Sequence, residues 1–458
     1  MKAPILDFIR RYAESDTLRL HMPGHKGQSL LGMESWDITE IDGADDLFHP
    51  EGIIRESEEN ASRLFGCRTL YSTEGASLSI RAMLYLAYQH ARHQGKSPKI
   101  LAGRNAHRSF LSAAVLLDLD VVWLQPAKQE SYLSCAPKAE EIEAILSQPD
   151  APTAVYLTSP DYLGGCADIS AIADICHRHG VLLLVDNAHG AYLKFLPTSA
   201  HPMDMGADMV CDSAHKTLPA LTGAAYLHLA DTIPEAIANQ AKPAMALFGT
   251  TSPSYLILAS LDAVNSYLAD GYREKLADTV EEIRCLRDTL TAQGYSLFGD
   301  EPLKLTVHTK PYGYEGVDFA DALRERGVEC EFADRDFAVM MLTPETGTDG
   351  IARLQEALLS IPRREAITER PPEMGLPARI MSIREAAMAA KETIPAKDSL
   401  GRILSDVSVS CPPAVPIVVS GERIDEDALR CFDYYGRYGT IQPISFTGCA
   451  DRFGTHSA

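Results

Sequence analysis

The sequence lacks paired cysteines of the kind that bind metals or form redox centres. Its ten cysteines are scattered singly, without a Cys-x-x-Cys pair or a cluster of cysteine and histidine at zinc-site spacing. Long apolar runs are also missing, because the longest, such as 113–117 and 181–185, are far too short to span a membrane. Pro4 and Asp7 interrupt the first residues before a signal-peptide core could develop. These absences predict a cytoplasmic protein with reduced thiols and no metal.

Basic residues are scarce relative to acidic ones. The chain has 42 Lys and Arg against 63 Asp and Glu, which gives a formal net charge of -21. A surface of that charge repels phosphate backbones, so nucleic acid is not an expected partner. No internal repeat or low-complexity tract is present. The expected partner is a small molecule.

From about residue 66 the chain alternates short apolar runs with helical patterns, which is typical of βαβ units and a mainly parallel sheet. Predicted strands are 99–103, 121–124, 154–158, 181–186, 209–212 and 224–229, and predicted helices are 78–92, 108–117, 139–146 and 169–179. Further on, we predict one long helix at 255–290, strands at 304–308, 330–333 and 337–342, a linker at 362–377, a helix at 382–391 and a strand at 415–420. The fold class is therefore α/β, with a doubly wound domain.

Four segments are expected along the chain. Residues 1–65 form an N-terminal segment that contributes to the active site and to a dimer interface. Residues 66–250 form the large α/β domain, 251–361 a connecting helix and a small α+β domain, and 362–458 a C-terminal domain.

Lys216 and Asp186 lie in segments whose residue types suit pyridoxal 5'-phosphate chemistry. Lys216 follows a Ser-Ala-His turn, and Asp186 ends the apolar run 181–185. This chemistry needs a lysine amine that bonds to the aldehyde and a carboxylate that keeps the pyridine nitrogen protonated. Each residue alone is commonly a solvated cation or a turn residue. Both, however, follow apolar strands, and open α/β sheets bind ligands at the carboxyl ends of their strands.

A second segment offers a phosphate site. Gly75, Ala76 and Ser77 immediately precede a predicted helix, and backbone N–H groups at a helix N-terminus bind anions. A simple N-cap by Ser77 is the structural alternative. Ser213 and His215, close to the lysine in sequence, are placed to hold the phosphate and to support the imine.

Two histidines are expected near the same ligand. His107 follows a predicted strand and opens a helix, so its imidazole is placed to stack on the pyridine ring, although a capped surface histidine is the alternative. His189 comes three residues after Asp186 and is placed to bond that carboxylate or to contact the hydroxyl side of the ring. Residues 158–164, at another strand end, are expected to line the same crevice.

With these residues in view, the chain resembles the Orn/Lys/Arg decarboxylase family of fold-type-I pyridoxal phosphate enzymes, particularly its shorter bacterial members. The matching segments extend over nearly the whole chain: 21–27, 37–47, 158–164, 186–190, 213–222, 384–386, 401–403 and 412–416. The resemblance implies an aspartate aminotransferase-like large domain and a smaller α+β C-terminal portion. It also implies Lys216 as the Schiff-base lysine, Asp186 as the pyridinium partner, His107 as the stacking residue, and phosphate binding by Gly75, Ala76, Ser77, Ser213 and His215.

The activity implied by the resemblance is decarboxylation of lysine, ornithine or arginine to an amine that feeds polyamine metabolism, with Lys216 or His215 returning a proton to Cα. Two residues depart from the family, because Asn187 stands where glutamate is usual and Glu74 where asparagine is usual. Three alternatives stay open. They are an aminotransferase on the same fold, a lyase acting at Cβ or sulfur, and a non-catalytic relative that binds the cofactor.

A basic substrate side chain requires a carboxylate at the far end of the pocket. Asp45, Asp46 and Glu51 are the candidates, and they are expected to reach the site of a neighbouring subunit, as in the family's dimers. A solvated acidic loop is the structural alternative. A homodimer or higher homo-oligomer with shared active sites follows from the same resemblance.

Overall fold

The structure is a computed structural model, and it describes residues 1–124, 131–407, 413–436 and 440–445. Its α-helices are α1 (Pro4–Glu14), α2 (Ile53–Phe65), α3 (Gly75–His93), α4 (Arg108–Leu117), α5 (Ala139–Leu146), α6 (Ile169–Arg178), α7 (Ala214–Thr217), α8 (Glu235–Ala238), α9 (Ala241–Phe248), α10 (Tyr255–Leu268), α11 (Tyr272–Ala292), α12 (Gly316–Arg324), α13 (Gly347–Leu359), α14 (Ile383–Ala387) and α15 (Glu426–Tyr435). Its strands are β1 (Arg68–Ser72), β2 (Lys99–Ala102), β3 (Asp120–Trp123), β4 (Ala154–Thr158), β5 (Leu182–Asp186), β6 (Met209–Asp212), β7 (Ala225–Leu229), β8 (Ser296–Phe298), β9 (Lys304–His308), β10 (Phe332–Ala333), β11 (Phe337–Met341), β12 (Ile394–Pro395) and β13 (Thr440–Ile441).

The chain divides into two compact units, each built from separate stretches of sequence. The first unit comprises residues 1–96, 168–282 and 342–348, and the second comprises 97–167, 283–341 and 349–458. Because both units are discontinuous, they do not correspond one for one with the four predicted segments. That four-part division stays a prediction.

The first unit contains four neighbouring strands in the order β1-β7-β6-β5. Strands β5 and β6 are parallel, with Asp186 opposite Cys211, whereas β7 runs antiparallel to both β6 and β1. The carboxyl ends of β1, β5 and β6 therefore meet at one edge, where β7 begins. Strand β5 is apolar up to Asp186 and buried along its whole length, which suits a strand covered on both faces. Helix α3 packs on β5, β6 and β7.

The second unit contains a parallel trio of strands and a separate antiparallel sheet. The trio has the order β4-β2-β3, and helix α4 follows β2. The antiparallel sheet has the order β10-β11-β9-β8. Residues 362–378 contain no helix or strand, as predicted for a linker. Among the described residues, no helix combines the length and the apolar character needed to cross a bilayer.

The predicted alternation of strands and helices is confirmed, and α4, α5, β4, β6 and β9 have the predicted bounds. The single helix predicted at 255–290 is wrong, because the chain breaks between α10 and α11 at Gly271, which adopts a φ of +69°. The strand predicted at 415–420 is also wrong, since this buried apolar segment forms neither helix nor strand. The helix predicted at 382–391 is limited to α14, and strand β1 was not predicted. Pro412, part of a matching segment, lies outside the described residues.

A buried ion pair joins α9 to α2 within the first unit. The Lys242 Nζ atom donates to Glu58 Oε1 at 2.5 Å and to the carbonyl of Leu47 at 2.6 Å, and the Tyr71 N–H also donates to Glu58 Oε1. Burial raises the pKa of Glu58 and the Lys242 ammonium lowers it, with a net upward shift. The carboxylate therefore depends on its cation to stay ionised in the core.

We predict that Lys242→Met lowers the free energy of unfolding by about 3–5 kcal/mol at neutral pH, because Glu58 is left charged and buried. The loss should shrink at mildly acidic pH, because Glu58 in the variant then takes up a proton and becomes neutral. Urea unfolding at the two pH values measures both effects. The Glu58→Gln/Lys242→Met double variant is the control, and it should recover most of the stability at neutral pH. An equal loss at both pH values would contradict the assignment.

Candidate active site

Lys216 lies on the short helix α7, directly after β6. Its Nζ atom is 3.0 Å from Nε2 of His189, which belongs to the turn after β5. The preceding residue, His215, donates from Nδ1 to the carbonyl of Ala224 at 2.9 Å, so that this nitrogen carries a proton. The neighbouring turns after β5 and β6 thus bring the lysine amine and an imidazole into contact.

Asp186 is the last residue of β5 and is buried. Its Oδ1 atom accepts hydrogen bonds from the N–H of Ala188 at 3.2 Å and from the Cys211 thiol at 3.5 Å. Burial, and then the charge of Asp186, raise the pKa of the Cys211 thiol well above its usual value, so that the thiol stays neutral and donates. The carboxylate therefore lies in the protein interior at the edge that also carries the lysine turn.

The turn after β1 leads into helix α3 at the same edge. The Gly75 N–H donates to the carbonyl of Gly223, in the segment between the lysine turn and β7, at 2.8 Å. Gly75 has a φ of +68°, and a Cβ placed on it would meet nothing within 4 Å. No side chain caps the helix, because Glu74 at the N-cap position instead accepts a hydrogen bond from the Thr250 N–H at 2.6 Å. There is therefore space in front of Gly75 at the N-terminus of α3, although the Gly75 N–H itself is engaged by the carbonyl of Gly223.

Behind this edge lies a buried polar cluster that was not identified from the sequence. Asp212, the last residue of β6, accepts hydrogen bonds on Oδ2 from Nε2 of His201 and of His228, each at 3.0 Å. Its Oδ1 atom accepts from Nδ2 of Asn187 at 2.6 Å. All four side chains are fully buried. The polar His228 in the otherwise apolar strand β7 is the sequence feature that could have indicated the cluster.

His107 belongs to the second unit, where it stands at the N-cap of α4. Its Nδ1 atom accepts a hydrogen bond from the Ser109 N–H at 3.2 Å and lies 2.9 Å from the Ser109 hydroxyl. The alternative considered for this residue is a capped surface histidine, whereas His107 is half-buried and its own side chain caps α4. In the segment 158–164 of the same unit, the buried Asp161 accepts from the Ser134 hydroxyl and from the Leu163 and Gly165 N–H groups. The predicted stacking role of His107 stays a prediction.

The acidic loop near residue 45 is held by its own backbone. Asp45 accepts on Oδ1 from the N–H groups of Asp46 and Glu51, and on Oδ2 from those of Gly52 and Ile54. Although burial raises the pKa of Asp45, these backbone donors lower it overall. Asp46 accepts from two N–H groups further along the loop, and Glu51 is exposed. Asp45 therefore has a structural role at the start of α2.

The residues at this edge fit pyridoxal phosphate. Lys216 supplies the amine, and the buried Asp186 supplies a carboxylate that accepts hydrogen bonds from the Ala188 N–H and the Cys211 thiol. The uncapped N-terminus of α3, with space in front of Gly75, supplies backbone donors for a phosphate group. Ser213 is the N-cap residue of α7, and its side chain makes no capping hydrogen bond.

The fold of the chain defines its class. The fold is similar to that of the lysine decarboxylase of Francisella novicida, with a TM-score of 0.76 at 16% sequence identity, over 97% of this chain and 81% of that one. It is also similar to lysine decarboxylase A of Pseudomonas aeruginosa, with a TM-score of 0.77 at 19% identity, over 96% and 80% of the two chains. The chain has the fold of the fold-type-I pyridoxal phosphate-dependent enzymes.

Sequence comparison identifies the family. The profile described as the major domain of Orn/Lys/Arg decarboxylase matches residues 3–312. The chain is 31% identical to an arginine decarboxylase of Halalkalibacterium halodurans over 96% of this chain and 94% of that protein. It is 29% identical to an arginine decarboxylase of Bacillus subtilis over 93% and 92%. The chain therefore belongs to the Orn/Lys/Arg decarboxylase family.

We predict that Asp45→Asn lowers the free energy of unfolding by about 1 kcal/mol at neutral pH, since one of its two acceptor oxygens is lost from the start of α2. The ordinary pKa of the side chain is 3.8 and the folded state lowers it, so its stabilisation is present above that value and is lost as the pH falls below it. Urea unfolding of both proteins at neutral and acidic pH measures the effect. A difference that stays constant into the acid range would contradict the role of the carboxylate.

Proposed function

We propose that this chain is a pyridoxal phosphate-dependent decarboxylase that converts a basic amino acid to the corresponding amine and carbon dioxide. The observation that carries the proposal is the contact between the Lys216 amine and His189, at 3.0 Å. His189 lies on the turn that follows the buried Asp186. Family membership supports the same reaction.

The residues at this edge have distinct roles in the proposed site. Lys216 would hold the cofactor covalently, and Asp186 would hold a proton at the pyridine nitrogen. Gly75, Ala76, Ser77, Ser213 and His215 would hold the phosphate, and His107, which belongs to the second unit, is predicted to stack on the ring. When bound, pyridoxal phosphate would supply an electron sink for the pair left on Cα as carbon dioxide departs.

Proton transfer is assigned to the groups around the lysine. The hydrogen bond between Lys216 and His189 orients the amine, because it fixes the position of Nζ relative to the turn after Asp186. Either Lys216 or His215 returns a proton to Cα. Since Nδ1 of His215 donates to the carbonyl of Ala224, we assign that transfer to its Nε2 atom.

Arginine is the first substrate to test. Two relatives that match over nearly their whole length are named arginine decarboxylases. The amine formed from arginine, lysine or ornithine would enter polyamine metabolism. Asp46 and Glu51 are proposed to bind the cationic end of the substrate, because the oxygens of Asp45 are already engaged by backbone donors.

A homodimer or higher homo-oligomer with shared active sites is part of the proposal. The segment before the acidic loop exposes large apolar side chains, with Leu30 88% and Leu31 83% exposed, and Leu18, Leu20 and Met22 also exposed. Contiguous exposed apolar residues mark association surfaces in soluble proteins. A second copy of the chain covering this segment would carry the acidic loop to a neighbouring active site.

The reaction is tested by measuring carbon dioxide and amine from arginine, lysine and ornithine, with and without added pyridoxal phosphate. We expect equimolar carbon dioxide and amine from at least one of them. Lys216→Ala should lose activity by more than about a thousandfold, and also the visible absorption that the cofactor gains on bonding to a lysine. An unchanged spectrum in Lys216→Ala would contradict the assignment of the lysine. Keto-acid formation without carbon dioxide would instead indicate an aminotransferase.

The role of the acidic loop predicts a change in KM. Asp46→Asn and Glu51→Gln should each raise KM for the basic amino acid by roughly fivefold, with a smaller effect at high salt, because a solvent-screened ion pair is lost. Glu274→Gln, which removes an exposed carboxylate from α11, is the charge-matched control. If neither loop variant changes KM, these carboxylates do not bind the substrate.

A further inference from the structure

A side-chain bond joins the residue after β5 to the last residue of β6, beyond the last backbone bond between the two strands. The last backbone bond of this pair runs from the Asn187 N–H to the carbonyl of Cys211 at 2.9 Å. The Asn187 side chain then donates from Nδ2 to Asp212 Oδ1 at 2.6 Å. Asn187 directly follows Asp186, and Asp212 precedes Lys216 by four residues. The bond therefore connects the two segments that hold the carboxylate and the amine.

The two imidazoles on Asp212 are hydrogen-bond donors. His201, Asp212 and His228 offer ligand atoms within 4.8 Å of one another, a spacing that would also suit a metal ion. The Met203 N–H, however, donates to Nδ1 of His201, so this ring carries its proton on Nε2, which faces Asp212. A nitrogen that carries a proton cannot ligate a metal. The cluster is therefore a hydrogen-bonded network centred on Asp212.

The network keeps Asp212 negatively charged and requires a neutral donor at position 187. Burial raises the pKa of Asp212, but His201 and His228 together lower it, with a net downward shift. For His228, burial lowers the pKa and Asp212 raises it, with a net upward shift. A carboxylate at 187, the residue type usual in the family, would face a second buried negative charge. An amide instead donates a charge-assisted hydrogen bond.

The fit around Asn187 is specific to this side chain. A Cβ on Gly190 would lie 2.0 Å from Asn187 Oδ1, so that only glycine at 190 leaves room for the amide. Among the described residues, Asn187 Oδ1 has no hydrogen-bond partner. The bond to Asp212 is therefore the interaction that orients the amide.

We propose that the Asn187–Asp212 pair, held by His201 and His228, is a positioning element that fixes the spacing between Asp186 and Lys216. The inference builds on the proposed function, because the aldehyde and the ring nitrogen occupy opposite positions of one rigid pyridine. Two segments that grip opposite ends of such a ring must keep a constant separation. The backbone ladder includes Asp186 but stops before the turn that carries Lys216, and the side-chain bond continues the connection.

The test compares the wild type with Asn187→Asp, Asp212→Asn and the double variant that exchanges the two residue types. Pyridoxal phosphate is titrated into each apoprotein and followed by visible absorption, and thermal unfolding of the apoproteins is measured separately. Asn187→Asp should weaken cofactor binding about tenfold to a hundredfold relative to the wild type, since a charge-assisted hydrogen bond becomes a repulsion. Asp212→Asn should lose less affinity for pyridoxal phosphate, because the two amides can still form a hydrogen bond once one of them flips.

The exchange variant separates positioning from a simple effect of charge near the cofactor. Both Asn187→Asp and the double variant carry a carboxylate at 187, but only the double variant restores a donor opposite it. We therefore expect the double variant to recover most of the affinity and of the unfolding temperature. Asn239→Asp, at an exposed position, is the control for the residue change itself. A double variant that binds as weakly as Asn187→Asp would overturn the proposal.

The pH dependence gives a second criterion. In Asn187→Asp the two carboxylates can share a proton at low pH, so the deficit relative to the wild type should grow as the pH rises. The other titratable groups next to the pair are His201, His228, Asp186, Cys211, Tyr226 and, beside His228, Cys67. These groups are the same in the wild type and in Asn187→Asp. The ratio of their two affinities for pyridoxal phosphate therefore reports on the new carboxylate. A ratio that does not change with pH would count against the proposal.

Failure of the proposed function can be distinguished from failure of the Asn187–Asp212 proposal. If the wild type binds no pyridoxal phosphate, the proposed function is wrong, whereas the unfolding temperatures of the four apoproteins still test the pair. If Asn187→Asp is insoluble, a soluble double variant supports the proposed role of the pair. An insoluble double variant contradicts it.

Discussion

The parallel pairing of β5 with β6 is the constraint on which the site depends. Because the two strands run in the same direction in neighbouring positions, Asp186 and the turn that carries Lys216 emerge at one edge. Strand β7 runs the opposite way and begins at that edge, and β1 ends there. The Gly75 N–H can therefore bond to Gly223, in the segment that follows the lysine turn. Residues far apart in sequence become neighbours through strand direction alone.

A buried charge at this edge is costly unless donors surround it. Asp212 is fully buried and receives three hydrogen bonds, and the aromatic ring of Phe65 packs against both imidazoles that donate two of them. In a low-dielectric interior such bonds are strong when complete and destabilising when one is missing. The arrangement is therefore specific, since each member of the network constrains the others. Local specificity of this kind is common where a site must be rigid.

The parts of the fold that the sequence predicted are those with a strong local pattern. Strand β5 could be predicted because an apolar run ends at a charged residue, and α4 because its apolar periodicity is clear. The break at Gly271 has a local signal in the Asp270-Gly271 pair, which favours a turn. Strand β1, in contrast, pairs with the distant strand β7, and the local pattern does not contain that pairing. The same holds for the site. Lys216 and Asp186 stand in informative local contexts, whereas the partners of Asp212 come from separate elements that only the folded sheet brings together.

The two departures from the family each have a local physical cause. Glu74 does not cap α3, because its carboxylate accepts the Thr250 N–H and leaves the helix N-terminus open to an anion. Asn187 faces Asp212, against which a glutamate would place a second negative charge. Neither residue removes the amine, the buried carboxylate or the backbone donors that the chemistry needs. Both departures are therefore accounted for by a contact within the first unit.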